Sequence, residues 1–199
     1  MRYSEDHKAK TRERVLREAA REIRAKGRDN VAVAKVMERA GLTHGGFYAH
    51  FESKEAMIAE ALDTMFVSAR GRFDRIEAEH GDPRAVLRTY LDFYLSREHR
   101  DGRDRGCVLP ALSGDLARTD DPEQRARFGA GVEGLTGRLA RALTTMHAAD
   151  PHAEASAMLA QMVGAVALAR AVADPAQSDA ILADAHAELV RRYALETAQ

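Results

Sequence analysis

Apolar residues recur along this chain at intervals of three and four, the period of an amphipathic helix. Val15, Leu16, Ala19, Ala20 and Ile23 line one face of a first helix, with Arg14, Arg17, Arg21 and Arg24 largely off it. Ile58, Leu62, Met65, Phe66, Ala69, Phe73 and Ile76 define a long helix from Lys54 to about Glu79, and Val86, Leu87, Tyr90, Leu91 and Tyr94 define the next. Phe128, Val132, Leu135, Leu139, Leu143 and Met146 form another, and Ile181, Leu182, Ala185 and Leu189 the last. No stretch alternates apolar and polar residues with β-branched side chains, so the pattern predicts no strand. The expected fold class is all-α, with about nine helices.

Prolines and glycines punctuate the pattern. Four of the five prolines follow aspartate: Asp82-Pro83, Asp121-Pro122, Asp150-Pro151 and Asp174-Pro175. An aspartate accepts hydrogen bonds from the free N–H groups of a first turn, and proline lacks the N–H that would stay unpaired there, so each pair predicts a helix start. Pro110 fits a first turn beginning near Gly106, and Gly27, Gly41 and Gly81 follow periodic runs as stops.

The segment from Ala155 to Ala173 differs, being apolar nearly all round through Met158, Leu159, Met162, Val163, Val166 and Leu168. Such a helix is buried on most sides. It is either a subunit interface or the central core helix of one subunit.

Between Val33 and Lys54 the spacing shortens. A short helix from Val33 to Ala40 stops at Gly41, and Thr43 is placed to cap a second one running to about His50. Two short helices joined by a tight glycine turn form a helix-turn-helix. Val33, Val36, Met37, Leu42, Phe47 and Phe51 supply its core, and the first helix of the chain packs across it as the third member.

Charge is unevenly spread along the chain. The net charge is only −1, but residues 1–55 carry 13 basic and 9 acidic side chains against 17 and 22 in the remainder. A basic head on an acidic body suits a phosphate-binding module joined to a domain that does not bind phosphate. The one cysteine, Cys107, excludes an intrachain disulfide and a cysteine-rich zinc site. The N-terminal stretch has no secretory h-region, and the longest apolar run, Met162 to Ala169, is far shorter than the roughly 20 residues that span a bilayer. The expectation is a reduced, soluble, cytoplasmic protein with no membrane partner.

The residues Val36-Met37, Ala40-Gly41, Leu42-Thr43, Gly45-Gly46, Phe47-Tyr48, His50-Phe51 and Ser53-Lys54-Glu55 resemble the DNA-binding head of the TetR family of bacterial transcription regulators. Upstream, Thr11-Arg12 through Ala19-Ala20 to Gly27 is similar to that family's first helix. The resemblance covers about the first quarter of the chain. It implies a helix-turn-helix DNA-binding domain at 1–52 and an effector-binding and dimerisation domain at 53–199, the segments 155–173 and 175–193 forming a four-helix dimer interface. A homodimer then binds a double-stranded, near-palindromic operator, usually as a repressor, and a small apolar or electrophilic effector tilts the long helix and changes the separation of the heads.

Carried over by position, Thr43, His44 and Gly45 face base edges in the major groove, Tyr48, His50 and Lys54 bind phosphates, and Lys35 reaches a phosphate or a base. Lys8, Lys10 and Arg12 are placed to hold the flanking backbone. Two positions depart from the family pattern. Ala32 stands where the family often has a capping Ser or Thr, a loss of about 1 kcal/mol unless Asn30 or Asp29 caps instead. Gly45 and Gly46 are consecutive in the reading helix, each weakening it by roughly 1 kcal/mol. The reading helix is therefore expected to be ordered partly by DNA, with few side chains reading bases and DNA shape supplying the rest.

The expected effector pocket is lined by Met65, Phe66, Phe73, Tyr90, Phe93, Tyr94, Cys107, Leu112, Phe128 and Met162, an aromatic and sulfur-rich set suited to an apolar ligand. Cys107 opens a short helix with Arg103 and Arg105 close in sequence, surroundings that lower a thiol pKa and permit sensing of a reactive compound; a buried small residue is the plainer role. Gly129-Ala130-Gly131-Val132-Glu133-Gly134 matches the GxGxxG string literally, but helical spacing runs straight through it with no strand before it, which predicts close helix packing rather than a dinucleotide site. The eight histidines form no compact cluster, His147 and His152 being poorly spaced, so no metal and no cofactor is expected. No catalytic constellation stands out, and the chain reads as a non-enzyme. The rival readings are a small helical thiol enzyme using Cys107 and a helical adaptor whose head binds protein.

Overall fold

The computed structural model describes residues 2–196, which form nine α-helices and one short 3-10 helix, with no strand among them. The helices are α1 (Arg2–Lys26), α2 (Val33–Arg39), α3 (Lys54–Glu79), α4 (Pro83–Tyr94), α5 (Arg97–Asp101), α6 (Val108–Ala117), α7 (Pro122–Thr145), α8 (Pro151–Ala171) and α9 (Pro175–Arg192). The 3-10 helix, His44–Ala49, lies between α2 and α3.

Side-chain caps begin most of these helices. Asp82, Asp121, Asp150 and Asp174 each accept a first-turn N–H, followed in every case by proline. Ser53 caps α3 through the Ala56 N–H at 3.0 Å, and Ser96 caps α5 through His99. At the other ends, Gly27 and Gly41 take φ of +80° and +69°, a turn that a side chain would resist. Two expected caps are missing. Neither Asn30 nor Asp29 serves α2, whose cap position is Ala32 with no side-chain bond; the Asn30 amide turns back to the Lys26 carbonyl. Thr43 is extended and makes no cap bond to the 3-10 helix.

α1 packs against α2, α3 and α6, while α7, α8 and α9 form the largest helix contacts of the body. α3 and α7 run parallel in a fixed register, because Asp63–Arg127, Asp74–Arg138 and Glu77–Arg141 all pair at a separation of 64 residues. The middle pair is bidentate, at 2.6 and 2.8 Å, the geometry in which a guanidinium binds a carboxylate best. One apolar core runs from Val15, Ile23 and Met37 in the head, through Met65 and Phe73, to Leu139, Met162 and Leu189 in the body.

α8 is not enclosed. Met158, Leu159, Met162, Val166 and Ala169 are buried, but Ala157, Ala160 and Leu168 face outward, Leu168 at 59% exposure. One chain therefore covers only one side of the helix whose composition predicts burial on most sides. No helix of the described residues is long and apolar enough to cross a membrane.

Candidate nucleic-acid interface and ligand cleft

The head is built on a small core. Val15, Ala19, Ala20 and Ile23 of α1 are buried with Val36 and Met37 of α2, Phe47 within the 3-10 helix and Phe51 just after it. Phe47 and Phe51 stack at 5.6 Å, and the Arg12 guanidinium lies 4.7 Å over the Phe51 ring. With those rings turned inward, neighbouring side chains of the same turn must point out. Tyr48 is 74% exposed although its ring meets Phe47 edge to face at 5.3 Å. Thr43, His44 and Gly45 are exposed beside it, and Lys35 is exposed on α2.

The segment His44–Ala49 is a 3-10 helix and not the α-helix that the spacing predicts. Consecutive glycines explain the difference, since they remove side-chain packing and raise the entropic cost of an α-turn. A Cβ added at Gly45 meets nothing within 4 Å, so that backbone is open to close approach from outside.

Lys54, the first residue of α3, donates to the Asp29 carbonyl at 3.2 Å on the surface. His50 is half-buried; its carbonyl accepts from Arg12 Nε at 3.3 Å and its Nδ1 is buried without a partner. Burial, then the charges of Lys8 and Arg12, hold its pKa below the ordinary histidine value. The ring is thus neutral near pH 7, and what it offers a phosphate is a hydrogen bond rather than charge. Arg12, placed by the sequence among the flanking phosphate ligands, is instead committed within the fold to Glu60 and the His50 carbonyl. Lys8 and Lys10 remain exposed.

Glu22 joins the first two helices. It is buried, with its carboxylate 2.5 Å from Lys26 Nζ and 2.9 Å from Arg39 Nη1. Burial pushes its pKa up, but Lys26, Lys35 and Arg39 outweigh that and leave it below the ordinary carboxylate range.

The ten residues expected to line one ligand pocket separate in space. Met65, Phe66, Phe73, Leu112 and Met162 are filled core. Phe128 lines an apolar groove of about 390 Å³ between α6, α7 and α8 with Leu109, Val132, Leu159 and Val163. Tyr90, Phe93, Tyr94 and Cys107 converge on a narrow slot together with Arg24, Arg72 and Arg105. That slot adjoins a wider cleft of about 400 Å³ between α1, α3 and the 102–107 loop, sharing the same three arginines.

Cys107 differs from its expected state. Burial raises its thiol pKa, and the hydrogen bonding and nearby charges that oppose this, including Arg24 and Arg170, do not overcome it. It caps α6 without a side-chain bond, and desolvation outweighs its place at a helix start. The sequence pointed to Arg103 and Arg105, whereas the fold brings up Arg24 from α1 and Arg170 from α8. The Tyr94 hydroxyl beside the thiol is buried without a hydrogen bond of ordinary geometry.

His99, which no sequence signal marked, holds the loop. Cys107 N–H donates to His99 Nε2 at 2.8 Å, which requires Nδ1 to carry the proton that the Tyr94 carbonyl accepts at 2.6 Å. Burial drives its pKa down to about 4. Among the described residues no group of histidine, cysteine and carboxylate side chains is placed to hold a metal ion.

Residues 15–61 match a family model described as "Bacterial regulatory proteins, tetR family". Among curated proteins the chain is similar to an uncharacterized HTH-type transcriptional regulator of Bacillus subtilis, YdgC, at 32% identity over 105 residues, covering 50% of this chain and 54% of that protein. The chain spans about half the length of the Bacillus relatives it matches. It is 23% identical over 134 residues to the HTH-type transcriptional repressor NemR of Escherichia coli, 67% of each chain, and has the fold of reduced NemR with a TM-score of 0.77 at 21% identity over 92% of this chain and 97% of that one. A TetR transcriptional regulator from Chloroflexus aurantiacus superposes with a TM-score of 0.80 at 26% identity, covering 95% of this chain and 96% of that one.

Proposed function

The chain belongs to the TetR family of bacterial regulatory proteins, and from that premise we propose that it is a DNA-binding transcriptional regulator: a cytoplasmic homodimeric repressor that leaves a near-palindromic operator when a small effector binds. The observation that carries the reading is the two-sided 3-10 helix. Phe47 is 2% exposed and anchors it, while Tyr48 at 74% projects outward among exposed Thr43, His44 and Gly45. An exposed tyrosine set against Phe47 beside a bare glycine backbone suits a duplex groove: the backbone approaches closely, and the phenol donates to a phosphate.

In this reading residues 1–52 are the head and 53–199 the body. Thr43, His44, Gly45 and Lys35 face base edges, and Tyr48, His50 and Lys54 hold phosphates on either side. Lys54 then exchanges the Asp29 carbonyl for a phosphate oxygen. DNA shape carries much of the specificity, because two adjacent glycines put few side chains in the groove.

The open sides of α8 and α9 form the dimer contact. Ala160, Gly164, Ala167 and Leu168 of α8 present a small, apolar outward surface on which a second α8–α9 pair can approach closely, placing two heads about a two-fold axis. The effector enters the cleft over Tyr90, Phe93, Tyr94 and Cys107, next to the end of α1, and acts through its different affinity for two head positions. The chain is a non-enzyme in this account, since a buried thiol with a raised pKa is a poor nucleophile.

Selection of bound fragments from genomic DNA, repeated with Tyr48→Phe and Lys54→Ala, tests the proposal. Both variants should weaken binding, and Lys54→Ala should also reduce the slope of log Kd against log salt by about one phosphate contact. A chain that is strictly monomeric and retains no duplex at low salt refutes the regulator reading.

A further inference from the structure

The cleft between α1, α3 and the 102–107 loop holds more positive charge than the fold neutralises. Of the arginines on its walls, Arg17 pairs with Glu13 and Arg21 with Glu18, and Arg105 stands 3.8 Å from Asp104. Arg24 and Arg72 make no ion pair among the described residues. The Arg24 Nε is buried with no hydrogen-bond partner, and Arg72 has only the Phe93 ring, 4.0 Å below its guanidinium carbon. Behind them Arg170 donates to the His99 and Arg100 carbonyls and forms no ion pair among the described residues, Asp101 acting on it only at longer range.

A buried guanidinium without an anion is costly, and most proteins supply a carboxylate. Burial here lowers the pKa of Arg24 to about 10, so the residue still carries its proton at neutral pH. A cleft of about 400 Å³ lies in the range of small-molecule sites, and it narrows inward onto Tyr90, Phe93 and Tyr94. Two planar guanidinium forks at the mouth of an aromatic slot match a planar anion with a flat apolar part.

We infer that this cleft binds a small organic carboxylate, its oxygens held by Arg24 and Arg72 and its apolar part resting in the wider cleft at the mouth of the slot, whose own volume of about 20 Å³ is too small for a ring. The inference rests on the effector reading given above and names the effector's chemical class. The occupant bridges α1 of the head to α3 and the loop of the body, so it bears directly on the angle at which the head is held. Occupancy and operator binding are then linked, each altering the other's affinity by the same factor.

The test uses the full chain and calorimetry with benzoate, its neutral counterpart benzamide, and inorganic phosphate. Benzoate should bind saturably, and benzamide about 10-fold more weakly or less, the ratio expected for charge-assisted hydrogen bonds. Arg72→Gln and Arg24→Gln should each weaken benzoate by a similar factor. Val67→Glu provides a variant that leaves the core untouched: Val67 lines the cleft and is 61% exposed, and a carboxylate there should repel benzoate while leaving benzamide unchanged. Equal affinity for benzoate and benzamide, no saturable benzoate binding, or variants that bind benzoate like the parent chain overturn the inference. Phosphate binding as tightly as benzoate overturns the carboxylate assignment in favour of a bare oxyanion. DNA affinity of the same proteins is measured separately by anisotropy. Intact DNA binding without benzoate binding rejects this inference alone, whereas benzoate binding without any DNA binding rejects the regulator reading. An unchanged DNA Kd at saturating benzoate overturns the linkage.

Discussion

The Phe66 ring of α3 fills the space in which a Cβ on Gly131 of α7 would stand, its nearest atoms 2.3 Å from that point. Only a glycine lets the two parallel helices close over the ring, which also meets Phe128 edge to face at 5.7 Å. The GxGxxG string is thus a packing device, with one of its glycines set against an aromatic ring. Gly131→Ala should destabilise the chain by about 1–3 kcal/mol through overpacking. Gly129→Ala, where nothing lies within 4 Å, should stabilise it by up to about 1 kcal/mol through helix propensity. Urea melts of the two variants decide this, and matching melts would mean that Phe66 moves aside without cost.

From a buried position Glu22 neutralises two cations, Lys26 on its own helix and Arg39 across the α1–α2 contact. Glu22→Gln should lose about 1–3 kcal/mol, because Lys26 and Arg39 are partly exposed and recover some solvation. Since the folded pKa of Glu22 is depressed, its contribution is complete above the ordinary value of 4.5 and disappears as pH falls through the lower folded value. Thermal melts between pH 3 and 7 should show a smaller acid loss in the variant; parallel curves would place the acid sensitivity elsewhere.

His99 produces a second and higher acid window. It is neutral in the fold down to about pH 4 but takes a proton near 6.5 once unfolded, so stability is full above 6.5 and declines as the pH falls toward 4. The gap corresponds to on the order of 3 kcal/mol. His99→Gln should flatten the stability profile across this interval. A profile identical to that of the parent chain would show that His99 protonates without strain.

Cys107 should alkylate slowly. Its thiol is 7% exposed as a residue and its pKa is raised by burial, so at pH 8 both access and thiolate fraction are low. Iodoacetamide should label the native chain at least about tenfold more slowly than the urea-unfolded chain. Comparable rates would reveal frequent opening of the 102–107 loop and favour a reactive effector.

Gly45→Ala separates folding from recognition. Nothing in the chain obstructs a methyl at this position, so melting should be unchanged or slightly improved. Duplex binding should weaken several-fold if the backbone lies against the groove. Unaltered affinity would count against close backbone approach there.

What the residues determined alone is whatever acts over one or two turns. The apolar period, the four Asp-Pro starts and the glycine stops specify the helices because caps and i to i+4 contacts are local, and the order of helices at 33–55 identified the head for the same reason. Local preference is weakest at Gly45-Gly46, where helix propensity is lost and the chain forms a 3-10 turn. The register of α3 against α7, the meeting of Arg24, Arg72 and Arg170 around Cys107, and the locked tautomer of His99 join residues far apart in the chain. Only the tertiary structure decided them. Burial then set the chemistry: desolvation acts on a group according to everything packed around it, and it turned a thiol that its neighbours in sequence would activate into one held protonated.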